Sequence, residues 1–132
     1  MRIDITIRLA RTSVALVWLY NGLWCKLLGR CPDHLAIIAS VFEPMGFPNV
    51  IPVVTLGIVE VFIAGNVLTG RQPRFWAGLQ TFLLLAMNGV GLIFGGEHIA
   101  DVASMIVHSL VLIALVWLLA AITEPNPLPE TE

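Results

Sequence analysis

Residues 102–122 read VASMIVHSLVLIALVWLLAAI, twenty-one positions without one charged side chain. A helix crossing a bilayer needs about 20 mostly apolar residues, because each adds about 1.5 Å and the hydrocarbon layer is about 30 Å thick. This stretch meets that length unaided. Three further runs have the same character: Thr12 to Leu28, Ile51 to Leu68 and Phe75 to Phe94. The pattern therefore predicts an all-α integral membrane four-helix bundle.

Composition agrees. Of 132 residues, 58% are hydrophobic and only 12% are charged. A soluble domain of this size carries about twice that share of charge, which it needs to cover its surface. Four spans and their turns use nearly the whole chain and leave no room for a soluble catalytic domain. The net charge of -2 and the lack of a basic run argue against nucleic acid. We find no phosphate-binding glycine loop, dinucleotide fingerprint or metal-ligand cluster. Arginines before an apolar run resemble a signal peptide, but Tyr20, Asn21 and Lys26 interrupt the run and no small-residue cleavage site follows.

Between the first two spans, Gly29 to Asp33 reads as a turn and His34 to Phe42 as a short helix. Leu35, Ile38, Ala39 and Phe42 share one face of it, so the expectation is an interfacial or re-entrant helix. Pro44, Gly46 and Pro48 end it. Thr69 to Arg74 is a polar turn. Residues 1–122 are expected to form a single four-span domain. Residues 123–132, with three prolines and three glutamates, read as a disordered or partner-bound cytoplasmic tail. Arg2, Arg8, Arg11, Arg71 and Arg74 fall on one side and Lys26 and Arg30 on the other. Basic residues stay in the cytoplasm, which predicts both termini inside a bacterial-type inner membrane.

Glu60 stands about ten positions into the second span. A carboxylate at that depth is costly and must face protein or water. It is expected to be protonated or paired with a donor such as Asn88, His108 or Lys26. Gly57 and Ala64 flank it at helical spacing, which suits close helix packing. Asp101, Ser104 and His108 share a face of the fourth span. With the amino terminus inside, Asn21, Glu60, Asn88 and His108 fall at similar depth in the outer half of the bilayer, and Lys26 near its edge. This defines a candidate polar cluster. It reads either as a hydrogen-bond network fixing helix register or as a proton-relay or quinone contact. Cys25 and Cys31, six apart at the outer end of the first span, read as free thiols, as a structural disulfide or, least in keeping with their spacing, as a redox pair. Trp18, Trp24, Trp76 and Trp117 suit an aromatic belt.

The segment Leu9-Ala10-Arg11 through Trp18-Leu19-Tyr20-Asn21-Gly22-Leu23-Trp24-Cys25-Lys26-Leu27 resembles the opening of the DoxX-like family, with its tryptophan-leucine-tyrosine-x-glycine-leucine stretch and following lysine-leucine pair. Gly57 to Gly65 around Glu60 resembles the family's second span, and Leu110 to Leu115 its last. Cys25 stands where the family often has proline, and Ser109 where it often has asparagine. The resemblance implies a small four-helix membrane protein. It implies, further, a small accessory subunit of a membrane redox or electron-transfer complex, packed against larger subunits and lipid and bordering a quinone site. Quinone or lipid are the candidate ligands. A stand-alone quinone- or thiol-linked oxidoreductase and a small proton-coupled transporter are the alternatives.

Overall fold

The computed structural model describes residues 2–124. Five helices account for most of them: α1 (Arg2–Leu19), α2 (Pro32–Phe42), α3 (Val50–Thr69), α4 (Pro73–Gly95) and α5 (Val102–Thr123). Tyr20–Leu27 continues α1 as a π-helix, and single 3₁₀ turns follow α2 and α4. No strand occurs among the described residues. Three helical stretches are long and apolar enough to cross a membrane: Val50–Thr69, Pro73–His98 and Val102–Thr123. The expected tail lies outside the described residues from position 125 onward.

Several helices start a few residues before their apolar runs, where proline rather than hydropathy sets the first turn. Pro32 and Pro73 occupy first-turn positions of α2 and α4, where a missing N–H costs nothing. Gly70 ends α3 in the left-handed region at φ 66°. The α1 helix begins at Arg2, ten residues before its apolar run, and so carries Arg2, Arg8 and Arg11 on regular helix.

α1 and its π-helical continuation lie along α3; α1 also meets α5, α5 packs on α4, and α2 crosses the far end of α4. The core joins Val14, Ala15 and Trp18 of α1 to Ile63, Ala64 and Val67 of α3, Ala77 of α4, and Leu112 and Val116 of α5. Small residues set the closest approaches, as expected where lipid removes any hydrophobic drive between helices. A Cβ on Gly22 would stand 2.7 Å from the Gly57 carbonyl oxygen and 2.8 Å from Glu60 Cβ. Likewise Gly91 and Gly95 let Ile37 of α2 seat against α4. Most remaining large apolar side chains point outward, including Ile106, Leu110, Val111 and Leu118 along α5.

Candidate functional site

Lys26 and Glu60 form the centre of the site. The lysine Nζ donates to Glu60 Oε1 at 2.9 Å and to Oε2 at 2.8 Å, and both side chains are 3% exposed. Nζ also reaches the Asn21 main-chain carbonyl at 3.4 Å. The π-helical winding makes this geometry. In an α-helix residues five apart diverge by about 140°. The i→i+5 pattern of a π-helix, seen here in the 2.8 Å bond from Leu28 N–H to the Leu23 carbonyl, stacks them instead. Lys26 thereby turns under Asn21 and faces α3. Gly22 supplies the approach that lets the ammonium reach Glu60.

Next to the pair, Cys25 and Cys31 are joined in a disulfide. Cys25 is fully buried and Cys31 half-buried. The link pins the π-helical segment to the start of α2. His34, in the first turn of α2, senses the same region. Burial, and then the positive charge of Lys26, hold its imidazole below the usual histidine value, with Asp33 opposing.

The rest of the expected cluster is divided. Asn88 of α4 donates to the Ser109 hydroxyl of α5, so it ties those two helices and does not reach Glu60. His108 is exposed on α5 and turns back on its own helix: with its proton on Nδ1 it donates to the Ser104 carbonyl at 2.6 Å. Asp101, expected on the same face, caps α5 by accepting from the Ser104 N–H at 3.0 Å. The Asn21 side chain likewise bonds its own helix, at the Val17 carbonyl. Equal depth along four helices did not bring these groups together, because rotation about each helix axis decides facing.

One buried polar contact had no place in the sequence reading. Gln80 of α4 is 2% exposed and accepts from Trp18 Nε1 at 2.7 Å, while its Nε2 donates to the Trp76 carbonyl at 3.0 Å. Trp18 is therefore a core residue and not part of an interfacial belt. The available signal was Gln80 itself, an amide inside an apolar run one turn from Ala77. Trp117 bonds the Thr81 hydroxyl at 2.9 Å and again joins α4 to α5.

Among the described residues, no group of three or more His, Cys, Asp or Glu is placed to hold a metal ion. Among the described residues, the arrangement is that of a small helical membrane protein with a buried ion pair between the π-helical end of α1 and α3. Residues 15–117 match the DoxX-like family, and the chain belongs to that family. Comparison with curated proteins and with solved structures finds no match.

Proposed function

We propose that the protein is a four-span accessory subunit of a membrane redox complex, with both termini in the cytoplasm. In this reading α1 with its π-helical end is the first span, and α2 is an interfacial helix on the outer side. The Lys26–Glu60 pair is the observation that carries it. Each member satisfies the other within bonding distance, deep between α1 and α3, so the pair fixes helix register. A proton-coupled transporter needs Glu60 open to a proton path, and a closed ion pair counts against that role. The outward apolar faces of α4 and α5 suit larger subunits and lipid. The redox setting comes from the family resemblance.

A second reading draws on the Cys25–Cys31 disulfide, which adjoins Lys26 and leaves Cys31 half-buried. There the chain is itself a thiol-linked oxidoreductase. Purification in mild detergent separates the two. An accessory subunit is expected to carry larger membrane proteins at fixed stoichiometry, and Cys25→Ser/Cys31→Ser keeps that assembly active. A chain that purifies alone and oxidises a dithiol to its disulfide, with quinone as electron acceptor, overturns the first reading in favour of the second.

A further inference from the structure

The arginine-bearing end of the molecule holds two clefts with a common wall. The narrower, about 30 Å³, has Arg11, Arg71 and Asn66 among its polar lining and Val14, Val67 and Val116 among its apolar lining. Its neighbour, about 320 Å³, is bounded by Ile7, Arg8, Arg11 and Ile122, together with Asp4 and Thr123. Arg11 belongs to both. Its guanidinium lies directly against Gly70, where any Cβ would collide with it. No ion pair among the described residues uses Arg8, Arg11 or Arg71, whereas Arg74 at the same end is taken up by Glu124 at 2.6 Å.

From this geometry we propose that the double cleft binds the phosphate of an anionic membrane lipid. A guanidinium offers a planar fork that matches phosphate oxygens, and it stays charged at the membrane surface. The narrow cleft has room for about one water-sized group, so it takes a phosphate oxygen and not a whole headgroup. The headgroup then spans Arg11 toward Arg8 in the wider cleft, with Arg71 closing from the α3–α4 turn. Exposed Ile122 in the wall of the wider cleft, with exposed Leu118 one turn away on α5, accounts for a lipid rather than a free anion: these side chains offer hydrocarbon contact to the chain that follows the phosphate. Asp4 in the wider cleft lowers the local positive charge but leaves the three guanidiniums in excess.

The test uses the full-length protein in nanodiscs of phosphatidylcholine containing phosphatidylglycerol. Lipid retained after mild delipidation is counted by native mass spectrometry. One phosphatidylglycerol is expected to remain on the wild-type chain, and phosphatidylcholine is not. Arg11→Gln/Arg71→Gln is expected to lower retention about thirtyfold, as removal of two interfacial basic contacts implies. Arg30→Gln, at the opposite end, leaves it unchanged. Circular dichroism checks that the double variant is folded, and Arg11→Lys, which keeps the charge, is expected to retain lipid at an intermediate level. Equal loss in Arg30→Gln, or equal retention of phosphatidylcholine, overturns the proposal. Full displacement by millimolar inorganic phosphate also overturns it, by assigning the cleft to a free anion.

Discussion

At one end of the molecule Lys26 and Glu60 are buried and bonded to each other, and a disulfide closes the segment that carries the lysine. At the other end Arg2, Arg8, Arg71 and Arg74 are exposed, and Arg8, Arg11 and Arg71 line open clefts. The two regions differ in how their charge is compensated. Glu60 stands in the middle of α3, a helix able to cross a membrane, where an unpaired charge is costly. The arginines sit where α1 begins and where α3 turns into α4, positions at which water and headgroups can solvate them. Charge near a helix end can be held in reserve for a ligand, whereas charge within a span must be neutralised by the protein itself.

The largest expected effect comes from breaking the closed end. Glu60→Leu leaves the Lys26 ammonium buried without its partner, and loss of one member of a buried pair costs about 3 kcal/mol or more. Lys26→Met strands Glu60 in the same way. The double variant Lys26→Met/Glu60→Leu is expected to recover most of the loss, because apolar replacement of both members is often near neutral. Denaturant unfolding in detergent, arranged as a double-mutant cycle, measures this. Additive losses would show that the two side chains act separately. Glu60→Gln belongs with the damaging variants too. Seen from the sequence alone, with Asn88, His108 or Lys26 all possible donors, glutamine keeps most of the hydrogen bonding. With lysine as the partner, it removes the countercharge.

That reversal shows where the sequence is legible. The apolar runs, the short helix α2 and the exceptional status of Glu60 all follow from hydropathy and its interruption, which need no knowledge of neighbours. The partner of Glu60 does not. Three polar groups, Asn21, Asn88 and His108, share its depth and Lys26 lies near the edge, and choosing among them requires the rotation of each helix. A π-helical segment reset that rotation for Lys26. Nothing in Tyr20 to Leu27 announces such winding, since Gly22 fits an α-helical close contact equally well. Trp18 and Gln80 were hidden for a related reason. Tryptophan suits an interface, and its burial here depends on one amide from a helix far along the chain.

A smaller effect should follow from opening the disulfide. The bridge closes a loop with a sequence separation of only six, so its chain-entropy contribution is about 2 kcal/mol. Cys25→Ala/Cys31→Ala is expected to lower stability by about that amount and to leave the Lys26–Glu60 coupling detectable, because Gly22 and the helix contacts still seat the lysine. If the coupling vanishes with the bridge, the disulfide and not the π-helical winding is what positions Lys26. The comparison between the two ends would then rest on oxidation state rather than on depth.

The smallest effect is a pH dependence that reports on the same end. His34 lies outside the spans, and its folded-state value is below 6.5, first through burial and second through the charge on Lys26. Below that ordinary value the unfolded chain takes up a proton that the folded chain resists. Unfolding therefore binds protons, and stability falls as pH drops from neutral through 6.5 toward the lower folded-state value, then levels off. Thermal unfolding followed between about pH 7 and 5 should show this limb, and His34→Gln should flatten it. In Lys26→Met/Glu60→Leu the burial of His34 remains but the nearby cation is gone, so the limb should become shallower without disappearing. An unchanged limb in that variant would mean that Lys26 carries no charge felt at α2. Burial alone would then hold the histidine down, and the closed pair would be insulated from α2.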